Sequence, residues 1–153
     1  MSQKRIAIIV TKGTLDCAYP PFILASTATA LGWECRMFFT LYGLRLLKKE
    51  LQLKVSPLGN PALAPRVPVL LRVMPGMQSL FTRAMHRKIQ EKGIASIEEL
   101  RRLCQEAEVR MFACQMTADL HEYRKEDLID GVEAGGAATF FDFAGQSDIC
   151  LLI

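Results

Sequence analysis

Residues 5–40, RIAIIVTKGTLDCAYPPFILASTATALGWECRMFFT, decide how this chain folds. The run Arg5–Val10 is apolar, of strand length, and preceded by charge. TKGTLDCAYPP follows as a turn, punctuated by Gly13 and by the Pro20–Pro21 pair. The Ala-rich stretch from Phe22 to Leu31 then stops at Gly32, the pattern of a helix with a glycine terminator. WECRMFFT, residues 33–40, returns to strand composition. Strand, helix, strand in immediate succession is the signature of a parallel pair joined by a crossover helix.

The pattern continues outward. LYGLRLLKKEL reads as a second helix with Lys48 and Lys49 in its last turns. Residues 57–78 hold five of the seven prolines (Pro57, Pro61, Pro65, Pro68 and Pro75) and read as a long loop or insertion. A basic amphipathic helix follows from about Ser79 to Lys92. SIEELRRLCQEAE opens on a capping box, Ser96 with Glu99, and sets Ile97, Leu100, Leu103, Cys104 and Ala107 on one face. Residues 109–113, VRMFA, form a strand that runs into Cys114, with Thr117 as the expected N-cap of a short helix. Residues 126–146 contain a Gly-broken segment and a helix, and DICLLI closes the chain as a buried strand. The expectation is one domain over residues 1–153. It is an α/β, flavodoxin-like, doubly wound fold: a mostly parallel sheet of about five strands with helices on both faces. Residues 57–92 are its Pro-rich insertion and basic helix.

Composition narrows the function. Half the residues are hydrophobic and 23% are charged, as in an ordinary globular protein. The opening apolar run is too short for a signal h-region, and Arg66 and Arg72 interrupt the central apolar region before it could span a bilayer. Five cysteines, with no CxxC pair, point to reduced thiols in a cytoplasm rather than a disulfide framework. The net charge of +3 conceals an asymmetry: residues 66–92 carry six Lys/Arg against one acid, and residues 93–153 five against twelve. Such a basic stretch is most often a solvated face; its other uses are contact with an acidic partner protein or a membrane surface. It has too little aromatic interleaving for nucleic acid.

In parallel α/β sheets, reactive groups collect at the carboxyl ends of the strands. Two segments stand there with chemistry to offer: TKG after the first strand and ACQMT after the third. A thiol reacts as its thiolate, and the amino end of a helix favours that anion through free N–H groups and partial positive charge. Cys114 lies beside such an end, and Lys12 could supply a cation from the end of the first strand. Cys17 follows the TKGTLD turn and is either a resolving thiol or a packed first-turn residue. Cys35, Cys104 and Cys150 fall in apolar contexts and are expected in the core. Neither His86 nor His121 is suggested as a base for Cys114, no paired spacing suits zinc, and no P-loop or GxGxxG occurs. Position alone leaves Cys114 open between a buried core thiol and a nucleophile for thiol transfer.

Four ordered segments add to this: TKGTLD, GWECRMFFTLYGLRLLKK, VRMFACQMT and EDLIDGVEAGGAATFF. Together the chain resembles the DsrE-like sulfurtransferases and sulfur carriers, in particular the peroxiredoxin-like DsrE/F branch. The resemblance implies a homo-oligomeric α/β protein that needs no cofactor or metal. It implies a persulfide on Cys114, charged by a rhodanese-like or TusA-like donor and passed to an acceptor thiol in sulfur oxidation or sulfur relay. Thr117 stands where the family's motif usually has serine. Relatives in this branch can carry hydrophobic segments that touch membranes, and residues 66–92 occupy that place here. Two other readings remain at this level: a non-catalytic interaction or membrane-surface module using the basic helix, and a flavin- or nucleotide-binding flavodoxin-like protein, which rests on fold analogy alone.

Overall fold

The computed structural model describes residues 3–56, 74 and 76–153. Five strands form one sheet: β1 Arg5–Val10, β2 Glu34–Phe39, β3 Arg110–Cys114, β4 Glu133–Gly135 and β5 Ile149–Leu152. The order is β4-β3-β2-β1-β5 and every pairing is parallel, so the expected doubly wound α/β fold is the fold observed. Five α-helices accompany the strands: α1 Leu15–Ala30, α2 Met77–Glu91, α3 Ile97–Glu106, α4 Gln115–Leu120 and α5 Ala137–Ala144. A 3-10 helix, Leu41–Leu47, follows β2.

Strand alternation sorts side chains onto two faces. Ile6, Ile8 and Val10 of β1 join Cys35, Met37 and Phe39 of β2 and Met111 and Ala113 of β3 on one face, under α1 and α3. On the opposite face Ile9, Phe38, Phe112 and Cys114 form a smaller cluster whose cover is Phe140 of α5. Arg36 on this face lies 4.2 Å over the Phe143 ring, a cation–π contact that seats α5.

Several boundaries differ from the sequence expectation. The helix expected from Phe22 begins at Leu15 and carries Pro20 and Pro21 inside it. Leu15, Ala18, Phe22 and Ala25 recur at helical spacing and are all buried, so their burial outweighs the two backbone hydrogen bonds the prolines remove. The segment expected as a second full helix is the 3-10 turn, with Leu44, Leu46 and Leu47 all fully buried. Gly43 allows this segment to lie directly on β1: its N–H donates to the Thr11 carbonyl at 3.0 Å, and a Cβ there would collide with the Val10 carbonyl. The closing strand is not buried. Among the described residues β5 is a sheet edge paired only with β1, and Cys150, expected in the core, is exposed on it. An apolar run cannot reveal whether a strand ends inside a sheet or at its rim.

The capping box is as expected, with Glu99 N–H donating to Ser96 Oγ at 3.2 Å and Ser96 N–H to Glu99 Oε2 at 2.7 Å. The proline-bearing residues 57–73 and 75 lie outside the described residues. Of the basic helix, Phe81 and Met85 pack on the core while Arg83, Arg87 and Lys88 face solvent. Among the described residues no helix is long and apolar enough to cross a membrane.

Replacing Gly43 with alanine should destabilise the protein by about 2 kcal/mol or more, since the 3-10 turn must lift off β1. Urea unfolding measures this; an unchanged midpoint would show that the turn is not clamped there.

Candidate thiol site

β3 and β4 end side by side, with Cys114 opposite Gly135. The chain leaves β3 through α4, whose Ala118 packs into the larger core. It leaves β4 through α5, on the other face. Adjacent strands whose connections part in this way open a crevice at their carboxyl ends, and Cys114 stands at its lip.

The strand passes into α4 without a loop residue between them. Cys114 is therefore itself the N-cap, with extended backbone (φ −62°, ψ 115°), and Thr117, expected as the cap, lies in the helix's first turn. This changes its role. The Thr117 side chain is fully buried and points back toward the cap. Its hydroxyl accepts from the Leu41 N–H at 3.1 Å and lies 3.1 Å from the Thr40 hydroxyl. Each hydroxyl has one proton: either Thr40 donates to Thr117 and Thr117 to the sulfur, or Thr117 donates to Thr40 and Thr40 to the sulfur, and in both arrangements the polarised chain strengthens as the sulfur ionises.

Cys114 is 7% exposed. Burial alone would push its thiol up. The Thr117 hydroxyl, the Thr117 N–H, the Thr40 hydroxyl and the Met116 N–H together outweigh that and hold the thiol below its ordinary value. The two N–H groups belong to the first turn of α4, which has no intrahelical acceptors for them. The neutral thiol makes no formal capping bond; what these groups favour is the anion. Hydrogen bonds to a charged partner contribute about 1.5–3 kcal/mol each, enough in combination to offset partial desolvation.

The other cysteines differ in kind. Burial, with neighbouring Cys104, pushes Cys35 up to about 12, and burial pushes Cys104 up to about 11, so both stay protonated and inert. Cys17 lies in the first turn of α1, half-buried, its thiol 3.7 Å from Asp16 Oδ2. Neither it nor Lys12 joins the groups acting on Cys114. Their positions follow β1, and β2 stands between β1 and β3, so two strand spacings of roughly 4.8 Å each separate the strand ends. The strand beside β3 is β2 rather than β1, and what it brings is Thr40. Sequence reading missed Thr40; a hydroxyl closing the strand before LYGL was the available signal, usable only with the strand order known. A cavity of about 530 Å³ between α1, α2 and α3, lined by Tyr19, His86, Glu98 and Glu99, does not include Cys114.

Comparison with known proteins places this geometry. Residues 2–152 match the model of the DsrE/DsrF/DrsH-like family. The chain is 61% identical, over the full length of both, to the sulfur carrier protein DsrE2 of Allochromatium vinosum. It is 26% identical to the uncharacterised protein YrkE of Bacillus subtilis, covering 98% of this chain and 97% of that one. The crystal structure of ychN from E. coli superposes with a TM-score of 0.58 over 99% of this chain and 100% of the other, at 13% identity, a likeness of fold.

Thr117→Val should raise the Cys114 thiol and slow its alkylation by iodoacetamide several-fold at neutral pH. Alkylation at exposed Cys150 serves as the internal control and should not change. Equal slowing at both positions, or at neither, would remove Thr117 from the site.

Proposed function

The chain belongs to the DsrE/DsrF/DrsH-like family, and from that membership we propose that it carries sulfane sulfur as a persulfide on Cys114. The observation supporting this is the set of donors on the thiol: Thr117 and Thr40 hydroxyls and two helix N–H groups that favour a sulfur anion at the sheet's carboxyl edge. The Cys114 thiolate attacks the outer sulfur of a donor persulfide. A new S–S bond forms at Cys114, the donor's S–S bond breaks, and the donor thiolate leaves. In the second step an acceptor thiolate attacks the outer sulfur, and Cys114 departs as thiolate. Neither step requires an external oxidant, reductant or metal. The donors that stabilise the thiolate serve equally when it is the leaving group, so one site handles loading and release.

The donor and acceptor in this reading are proteins bearing cysteine, of rhodanese-like or TusA-like kind, in sulfur oxidation or sulfur relay. All five thiols are free, as persulfide chemistry requires, and a cytoplasmic setting keeps them so. Self-association belongs to the same reading: among the described residues β5 leaves one sheet edge unpaired, and Leu152 on it is 72% exposed. Light scattering should give a mass above that of one chain.

Incubation with glutathione persulfide should add the mass of one sulfur atom to the Cys114 peptide, and Cys114→Ser should abolish that addition. Equal loading of the two proteins would contradict the assignment. Cys17→Ser should leave both loading and release within about twofold of wild type, because Cys17 is not among the groups acting on Cys114. Markedly slowed release would restore Cys17 as a relay thiol.

A further inference from the structure

Three residues other than glycine have a positive φ among the described residues: Leu41 at 48°, Glu108 at 59° and Glu122 at 54°. Glu108 and Glu122 are ordinary. Each stands just past the cap of a helix, α3 or α4, where a left-handed residue lets the chain bond back onto the last turn. Glu108 N–H donates to the Gln105 carbonyl and Val109 N–H to that of Cys104; Glu122 and Tyr123 repeat this with Asp119 and Ala118. Leu41 ends no helix. It opens the 3-10 helix directly after β2. Thr40 before it is extended (φ −136°, ψ 165°) and still in the sheet, its N–H donating to the Val10 carbonyl at 3.0 Å. Gly43, two residues after Leu41, is already seated on the Thr11 carbonyl. The chain has to change direction at Leu41 and Tyr42, and the left-handed conformation falls on the leucine.

That placement carries strain. In a left-handed residue the Cβ crowds the following carbonyl, so glycine, asparagine or aspartate is the usual occupant. Burial does not compensate, because Leu41 is 48% exposed. What holds the conformation is backbone: the Leu41 N–H donates to Thr117 Oγ1 at 3.1 Å, and Gly43 is clamped on β1. Resting on the sulfur-carrier reading for what the thiol does, we infer that Leu41 is a positioning residue of the thiol site: its left-handed backbone aims the N–H that heads the hydrogen-bond chain to Cys114.

The peptide unit between Thr40 and Leu41 is planar, so its N–H is oriented by the ψ of Thr40 and the φ of Leu41. Thr40 is fixed by the sheet and Gly43 by β1, and a relaxed, negative φ at Leu41 would swing the N–H off the Thr117 oxygen. A backbone N–H can only donate. If Thr40 donates to Thr117, the Leu41 N–H is the second donor onto that oxygen, and Thr117 turns its proton to the sulfur. If Thr117 donates to Thr40, the Leu41 N–H polarises Thr117, and through it the Thr40 hydroxyl that reaches the sulfur. In both arrangements Leu41 stands at the head of the chain. Its side chain has no part in this; its conformation does. Uncommon backbone of this kind persists where the surrounding structure fixes it, and such places cluster at functional sites.

The test separates conformation from side chain. In the full-length Cys17→Ser/Cys150→Ser protein, iodoacetamide alkylation reports Cys114, since Cys35 and Cys104 stay protonated. Leu41→Val, whose β-branch resists a positive φ, should move the midpoint of the alkylation pH profile up by about one unit. At neutral pH it should react about threefold more slowly, the loss of thiolate being partly offset by the higher nucleophilicity of the anion that remains. Leu41→Asn and Leu41→Gly reach the same φ with less strain, and should return the midpoint to the wild-type value despite lacking the leucine side chain. One midpoint common to all three variants, shifted or not, would overturn the inference. Should Leu41→Val not fold, amide hydrogen exchange at the unmutated Leu41 decides. Thr117→Val should speed exchange of the Leu41 amide about tenfold or more, and leave that of the Thr40 amide, bonded to the Val10 carbonyl, as it was. Equal Leu41 exchange with and without the Thr117 hydroxyl would overturn the inference as well. Neither readout involves sulfur transfer, so failure of glutathione persulfide to load Cys114 would sink the carrier reading and leave both comparisons as they are.

Discussion

The hydroxyl of Thr117 holds the arrangement together. One oxygen, buried and hydrogen-bonded from two directions, ties the start of α4 to the end of β2 beside the sulfur of Cys114. A β-branched side chain is restricted at χ1, so threonine fixes that direction at low entropic cost. The 3-10 helix, the end of β2 and the cap of α4 are three separate pieces of chain, and this oxygen is where they meet.

The rest of the fold supplies the conditions for that contact. Parallel pairing sets Phe39 opposite Ala113, one residue short of Thr40 and Cys114. The register therefore delivers the hydroxyl and the thiol to the same edge. Buried Arg101 of α3 secures the far end of the 3-10 helix by donating to the carbonyls of Leu46 at 2.8 Å and Lys48 at 2.6 Å. Burial holds that guanidinium below its ordinary value, opposed by Glu98, so the clamp costs desolvation and is compensated by two backbone acceptors. On the β4 side, Arg110 grips Glu133 through two bonds of 2.8 and 2.7 Å, fixing the short strand against β3. With both flanks fixed, the crevice at Cys114 is preformed.

Much of this was legible in the sequence, and the limits have physical causes. RIAIIV, WECRMFFT and VRMFAC read as buried parallel strands because both their faces are covered and apolar. The capping box at Ser96 is a purely local pattern and was found with its partner. Cys114 could be placed at a strand end from periodicity alone. Thr40 could not, since its importance depends on which strand lies beside β3. The start of α1 was misplaced because Pro20 and Pro21 argue locally for a turn, and only the buried stripe of Leu15, Ala18 and Phe22 overrules them. Cys150 was misread because edge and centre strands share one composition when the edge is apolar. The three-residue strand β4 is too short for any period to register.

The account depends on the Cys114 thiol being held below its ordinary value despite being nearly inaccessible. An NMR titration of the cysteine Cβ resonances with pH measures this directly. Cys114 should ionise below the ordinary thiol value, while Cys35 and Cys104 remain protonated across the range in which the fold survives. Were Cys114 to ionise at or above the ordinary thiol value, the hydroxyl and N–H groups around it would be packing, and the site would have to be sought elsewhere.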